Sequence, residues 1–447
     1  MEYVEIYSIL MNISSRIRRS AFWMKDWLMG NPVKKHYNEI KFITENYSDN
    51  RASQLKDMNL SSILCHAINS TPFYSNVNSA LISDFPVINK NIVRENGNTF
   101  RSSSKKYASK CCYYTSGSTG APFSVHVNKS KRYRTTADTI YFGELAGYNL
   151  GDKLFYFKIW SKLNKKSNLI AFAQNIVPAD VIDLNDHAIA EIIERLRRDK
   201  SPKALLAYSS FLDLICSHLE RIDSAPIVNN TKAAIAQAEG LNPITKKGIS
   251  YYFSTQAVSR YSNNENGIIA QQIGEDDEFI VNEASFFVEI LDMDSDTPVP
   301  DGTPGRIIMT DLFNYCSPLI RYDTGDIGVL GKKEVMGHTR KVFKSVEGRK
   351  LDIIFDTQGS IVSSYLWFKN MWKYKEINQF QIIQQGEKEY LLNINVENHF
   401  EKEAQIIKEY KDLLGEDAII KVAFVSDIPL LDSGKRKTTV NLHRDTA

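Results

Sequence analysis

The chain has 447 residues, 43% hydrophobic and 24% charged, with a formal net charge of +2. That length exceeds one ordinary core and asks for two or three domains, and the composition excludes a disordered or fibrous protein. So small a net charge argues neither for nor against nucleic acid, and none is expected as a partner.

Residues 1–45 mix polar and apolar positions at helical spacing and read as a helical extension. Within it, residues 13–29 set Arg16, Arg18, Arg19 and Lys25 among Ile17, Phe22, Trp23, Trp27 and Leu28. Such a segment is either a helix packed on its own domain or a basic amphipathic helix lying on a membrane or a partner. No apolar stretch approaches the ~20 residues that span a bilayer. The basic residues also follow an apolar stretch, the reverse of a signal peptide. Five cysteines, an odd number without a CxxC pair, read as reduced thiols with no zinc site. The expected setting is cytoplasmic, with residues 13–29 allowing attachment to the inner face of the membrane.

A helix is expected over Leu55–Ser70, stopped by Thr71-Pro72. Asp84–Val93 reads as a loop and a short helix start, and Lys106–Tyr114 as a strand entering a small-residue loop. Helices at Ala188–Arg198 and Phe211–Glu220 then alternate with strands at Leu205–Tyr208, Lys232–Gln237 and Ala257–Ser262, the pattern of an α/β sheet. Short strands and turns from Glu278 to Leu330 predict a mostly β subdomain. A boundary near Val346–Lys350 divides an N-terminal domain, 1–347, from a C-terminal α+β domain, 348–447. The latter holds a hairpin (Phe380–Gln384, Tyr390–Val396), a helix (Glu401–Leu414) and a strand (Ile419–Val425).

Thr115-Ser116-Gly117-Ser118-Thr119-Gly120 is the strongest local signal. Two glycines let the backbone expose successive N–H groups, and four hydroxyl residues add donors, a concavity suited to phosphate oxygens. The loop lacks the Gly-Lys-Ser/Thr ending of a Walker A motif. Alone it reads equally as a surface turn. With Ala121-Pro122, however, it resembles the phosphate loop of the adenylate-forming enzymes: acyl-CoA synthetases, luciferases and peptide-synthetase adenylation domains. Four further segments follow in that family's order: Tyr261 with Glu265, Tyr322-Asp323-Thr324-Gly325-Asp326, Gly348-Arg349 with Asp352, and Leu431-Asp432-Ser433-Gly434-Lys435. Thr71–Tyr74, Phe85–Lys90 and Thr310–Asn314 leading to Pro318–Tyr322 resemble, more narrowly, the phenylacetate–CoA ligase-like branch and its CapK-type members.

The resemblance implies a large adenylate-forming N-terminal domain, of α/β sheets with a β subdomain, and a small mobile C-terminal domain. It implies ATP and Mg²⁺ as cofactors, a small carboxylic acid as substrate, and CoA or an amino or hydroxyl compound as acceptor, within surface-polysaccharide biosynthesis. Thr115 through Gly120 would hold the ATP phosphates, Tyr261 would stack on adenine, Glu265 would bind Mg²⁺, and Asp326 would accept from the ribose hydroxyls. Arg349 would donate near the ribose or α-phosphate. Lys435 would offset the charge that builds when carboxylate attacks the α-phosphate. Each residue has a plainer reading when taken singly: a core tyrosine, a solvated acid, a turn aspartate, an interdomain salt bridge, a basic tail. Arg260 and Asn263 stand beside the motif with no assigned role. Two departures are visible: Phe123 follows Pro122 where many relatives carry a lysine nearby, and Leu351 occupies the usual hinge-acid position, with the acid at Asp352. A catalytically degenerate relative serving as a scaffold in a membrane-associated assembly is the alternative.

Overall fold

The structure, a computed structural model, describes residues 2–109, 111–115, 123–158, 160, 166–181, 186–349, 354–362, 371, 374, 376–396, 400–429 and 438–443. It divides into two compact units, Met1–Thr324 with Gly328–Ser345, and Gly325–Ile327 with Val346–Ala447.

The chain opens with three helices, α1 (Glu2–Leu28), α2 (Pro32–Glu45) and α3 (Asn50–Ser70). The buried Asp26 carboxylate accepts from the Val33 and Lys34 N–H groups, both at 2.9 Å, and so joins α1 to the first turn of α2. The third helix starts before the expected Leu55 because Asp49 caps it, accepting from the Arg51 N–H at 2.6 Å. A short helix, α4 (Lys90–Glu95), is capped by Asn89, whose side chain accepts from the Asn91 and Ile92 N–H groups. The strand expected over Lys106–Tyr114 begins only at Cys111. Tyr107 instead ends a one-turn helix and stacks on Tyr315, ring centroids 4.7 Å apart.

Strands β1 (Cys111–Thr115) and β2 (Phe123–Val127) form an antiparallel pair, with Thr115 opposite Phe123. Next come α5 (Lys129–Leu145), β3 (Lys153–Lys158), α6 (Asn168–Ala173), β4 (Ile176–Asp180), α7 (Asp186–Arg198), β5 (Lys203–Tyr208), α8 (Ser209–Arg221), β6 (Thr231–Gln237), α9 (Pro243–Phe253) and β7 (Ala257–Asn263). Strands β3 to β7 pair in parallel, and the helices between them supply the crossovers. One face of this sheet packs Phe155, Phe157, Leu205, Ala207, Ala234 and Ala236 against α7, α8 and α9. On the other, Leu206, Ile235 and Val258 pack with Tyr148, Leu154 and Tyr156.

The strands expected to form a β subdomain extend the same sheet. They are β8 (Gly267–Gln272), β9 (Phe279–Val281), β10 (Phe286–Leu291), β11 (Pro304–Asp311), β12 (Tyr322–Val335) and β13 (His338–Arg349). The antiparallel pairs β7–β8 and β8–β9 carry the ladder onward, giving eleven strands in the order β10-β11-β12-β13-β9-β8-β7-β6-β5-β3-β4. The fold class is α/β, as the sequence implies.

The second unit contains β14 (Ile354–Phe355), β15 (Ile361–Val362), β16 (Ile377–Gln384), β17 (Glu389–Val396), α10 (Glu403–Leu414), β18 (Ile419–Phe424) and β19 (Thr439–Asn441). Its four-stranded sheet runs β18-β17-β16-β19, with the expected hairpin at its centre. Ile406, Tyr410 and Leu414, four apart on α10, bury one stripe against Leu392, Ile394 and Tyr390.

Candidate active site

Three chain segments distant in sequence meet around one carboxylate. Glu265, just after β7, is 1% exposed. The Lys90 ammonium lies 2.9 Å from its Oε1, and the Tyr322 phenol donates to the same oxygen at 2.9 Å. Lys90 is the first residue of α4, placed there by the Asn89 cap, and Tyr322 is the first residue of β12. Backbone bonds fix their separation: the Ile88 N–H donates to the Arg321 carbonyl at 3.0 Å, and the Asp323 N–H to the Ile88 carbonyl at 2.7 Å.

Arg321 holds this junction together. Its φ of 49° lies in the left-handed region, a conformation that costs a non-glycine residue about 1 kcal/mol or more. The cost is offset by bonds: its N–H to Thr310 Oγ1 at 3.0 Å, and its guanidinium to the Phe85 carbonyl at 3.2 Å and to both Glu289 oxygens at 3.2 and 3.3 Å. Behind it, the fully buried Tyr74 phenol donates to the Pro318 carbonyl at 3.3 Å and accepts from the Ile320 N–H at 3.4 Å. The segments Thr71–Tyr74, Phe85–Lys90 and Pro318–Tyr322 thus form one scaffold beneath Glu265.

Tyr261 lies on β7, four residues before Glu265. Its hydroxyl donates to Thr324 Oγ1 at 3.3 Å, and its ring meets Phe343 edge-on at 6.1 Å. Thr324 in turn donates to the Ile307 carbonyl at 3.0 Å. At the end of neighbouring β6, Ala238 takes a φ of 73°. Glu239 follows it, accepting from the Ser210 N–H at 2.9 Å through its carboxylate and from the Ser209 hydroxyl at 3.0 Å through its carbonyl. The carboxyl end of this parallel sheet is where open α/β folds place their ligands. Asp326 lies on β12, partly exposed, after Gly325 with a φ of 79°.

The structure therefore brings Glu265 and Tyr261 to one end of β7. For Thr115 and Arg349 it places the backbone alone, at the ends of β1 and β13. Ser116, Gly117, Ser118, Thr119, Gly120 and Lys435 lie outside the described residues. Lys90 and Tyr322 are members of the site that sequence reasoning left without roles. Both sit inside segments already singled out, but nothing local says that either reaches Glu265.

Among the described residues no group of three or more potential metal ligands gathers. The donor set fits an ion that brings its other ligands with it. Mg²⁺ takes one or two carboxylates and completes its octahedron from phosphate and water, and Glu265 supplies one hard oxygen donor.

The architecture is that of the adenylate-forming enzymes. Over 90% of this chain and 91% of the other, it aligns with 2-hydroxyisobutyryl-CoA ligase in the postadenylation state in complex with R3-HIB-AMP, at TM-score 0.69 and 14% identity. ATP-bound MatB from Rhodopseudomonas palustris aligns at TM-score 0.53 and 15% identity, over 73% of this chain and 66% of that one. At such identities the likeness is one of fold. Residues 354–442 match the CapK C-terminal domain family. The phenylacetate-coenzyme A ligase of Aromatoleum evansii is 26% identical over 136 residues, 30% of this chain and 31% of that one. That of Thermus thermophilus is 23% identical over 163 residues, 36% and 37% of the two chains. The matched stretches thus span about a third of these relatives. The fold is thus similar to that of these CoA ligases, about a third of the chain resembles phenylacetate-coenzyme A ligases, and residues 354–442 match the CapK C-terminal domain family.

Proposed function

We propose that the protein activates a carboxylic acid with ATP and passes the acyl group to CoA. The observation that carries this reading is the convergence of Lys90, Glu265 and Tyr322, from three separately recognised segments. In the first step a carboxylate oxygen attacks the α-phosphorus of ATP, the bond to the β-phosphate oxygen breaks, and pyrophosphate leaves with the electron pair. In the second, the acceptor displaces AMP from the acyl carbon. Tyr261 offers a flat apolar face for adenine, and Thr324 fixes its hydroxyl. Asp326 accepts from the ribose, Arg349 and Lys435 supply cationic donors, and Thr115 to Gly120 cradle the phosphates. Glu265 would hold a magnesium ion brought with the nucleotide, which would neutralise phosphate charge. Rotation of residues 348–447 about 349–352 between the two steps would exchange Lys435 for the acceptor. An amine or hydroxyl acceptor, and a place in surface-polysaccharide synthesis, extend the reading on the strength of the CapK-type resemblance alone.

Pyrophosphate release over a panel of aromatic, aliphatic, hydroxy and amino acids, with and without CoA, tests it. The expected result is release that depends on one acid class and thioester formation with CoA. Absence of release with every acid in the panel, from protein that binds ATP, would leave the scaffold reading in its place.

A specific surface supports peripheral attachment as well. On α1, Ser15, Phe22 and Asp26 face the protein, whereas Ile13, Ile17, Met24, Trp27 and Leu28 form an outward stripe, with Trp27 64% and Leu28 72% exposed. Arg18 lies over the ring of the exposed Phe172 on α6, 5.6 Å from its centroid, so a second apolar patch adjoins the first. Between residues 13 and 29 the one acid, Asp26, is buried, while Arg16, Arg19 and Lys25 are exposed. This charge and shape suit an anionic lipid surface. Among the described residues no helix is long and apolar enough to cross a membrane. Cosedimentation with phosphatidylglycerol vesicles but not phosphatidylcholine vesicles, lost in Ile17→Glu/Trp27→Glu, is the expected result.

A further inference from the structure

Arg260 precedes Tyr261 on β7 and is 7% exposed. Its Nε donates to Gln271 Oε1 at 2.8 Å. Gln271 is itself pinned, donating from Nε2 to the Phe142 carbonyl at 2.7 Å. The Arg260 Nη2 atom is buried and has no hydrogen-bond partner among the described residues. No carboxylate among the described residues pairs with this guanidinium; the ionisable group that faces it is the Tyr156 phenol. Burial alone pulls its pKa down to about 10. A buried cation without a counter-ion is a cost of several kcal/mol that a fold rarely carries without return.

The direction in which Arg260 points narrows the return. Side chains alternate along a strand, so Arg260 shares its face with Val258, on the side of Tyr156, Leu206 and Ile235. Tyr261 takes the opposite face, where Thr324 and Phe343 lie. The proposed adenine side is therefore not the side Arg260 addresses. Its own side is built for a polar end. Gln237 donates to the Tyr156 hydroxyl at 3.4 Å, and the Trp160 indole donates to the Tyr156 and Ala179 carbonyls at 3.3 and 3.2 Å. Lys158 sets a second ammonium over the Tyr156 and Trp160 rings, 5.0 and 4.3 Å from their centroids. Two cations and a phenol on one wall are a poor lining for a hydrocarbon tail.

We infer that Arg260 is the counter-ion for a second oxyanion on the acid, so that the substrate is a carboxylic acid whose far end is also anionic. The inference rests on the acid-activation reading and names its substrate class. A guanidinium edge receives a carboxylate or a phosphonate through paired N–H donors, and Gln271 fixes the plane in which it does so.

The test pairs acids of equal length: succinate, glutarate, adipate and 4-carboxyphenylacetate against butanoate, pentanoate, hexanoate and phenylacetate, with 3-phosphonopropionate as the phosphorus arm. Two readouts are taken on the full chain, the melting temperature with acid alone and the rate of pyrophosphate release. At least one doubly anionic acid should raise the melting temperature where its hydrocarbon partner does not, and should be adenylated about tenfold or more efficiently. Arg260→Met should abolish both differences, and Arg260→Lys should restore part of them. The relative response to succinate and 3-phosphonopropionate, which share one chain length, separates a carboxylate from a phosphorus oxyanion. Without ligand, Arg260→Met should melt no lower than the parent, because it removes an uncompensated charge. A melting temperature lower by more than about 5 °C would assign the guanidinium to the fold and overturn the inference. So would equal preference for hydrocarbon acids, or an Arg260→Met variant that loses both acid sets alike, as a group aimed at the reacting carboxylate would. If no acid drives pyrophosphate release yet the Arg260-dependent thermal shifts persist, the acid-activation reading fails and the anion site stands.

Discussion

The Lys90 ammonium and the Glu265 carboxylate stand 2.9 Å apart, one on the first turn of a short helix and the other beyond the end of a central strand. Glu265 is almost wholly buried, and Lys90 keeps a third of its side chain exposed. The pair is thus asymmetric: the carboxylate depends on the ammonium for compensation, while the ammonium retains water.

Lys90→Ala should therefore destabilise the protein by about 2 kcal/mol, from the uncompensated buried carboxylate, with Tyr322 as its remaining donor. Glu265→Gln should cost less, because an amide needs no counter-ion. Thermal melts of both variants check the ordering. In the pyrophosphate assay Glu265→Gln should raise the magnesium concentration needed for half-maximal rate, whereas Lys90→Ala should lower it, since the ion no longer competes with an ammonium.

Lys435→Ala should reduce acyl-adenylate formation by a factor of about 100 to 1,000, the typical cost of removing one donor aimed at developing transition-state charge. The melting temperature should not change. Unaltered single-turnover adenylation would remove Lys435 from the reaction.

If Tyr261 stacks on adenine as proposed, Tyr261→Ala should raise the KM for ATP about tenfold, and Tyr261→Phe should change it little, because the ring would do the stacking while the hydroxyl bonds Thr324. Nucleotide titration followed by fluorescence or calorimetry reads this directly.

His36 predicts an acid-sensitive stability. It lies edge-on to Phe313, with Lys131 and Arg134 nearby, and burial first, then Arg134 and Lys131, lower its pKa from 6.5 to about 4. The unfolded chain binds the proton more tightly, so His36 contributes nothing to the pH dependence above about pH 7. Stability should then fall as pH drops from 6.5 towards 4, by up to about 3 kcal/mol. Denaturant titrations at pH 7 and pH 4.5 should show the loss, and His36→Gln should make it smaller.

The order of the motifs was legible in the sequence, but no single motif states a role locally: the hydroxyl-rich loop, the Tyr261–Glu265 spacing and the Tyr322–Asp326 turn each have a plainer reading alone, and their proposed roles come from their succession. Helices and strands were legible locally: their periods are short, and Ala188–Arg198 or Tyr390–Val396 needs no distant partner to be recognised. Even so, the segment from Glu278 to Leu330 reads as a separate β subdomain, since the ladder through β8 and β9 that joins it to the parallel strands exists only in the paired state.

The sequence by itself determined the fold class, the order of the motifs and the residue types within them. Tertiary structure alone decided which of those residues meet. Lys90 finds Glu265 because Ile88 is hydrogen-bonded beside Tyr322, and Arg260 loses its solvent because β8 and α5 close over it. Ion pairing and desolvation depend on three-dimensional distance and on what excludes water, and neither is a property of neighbouring positions in a chain.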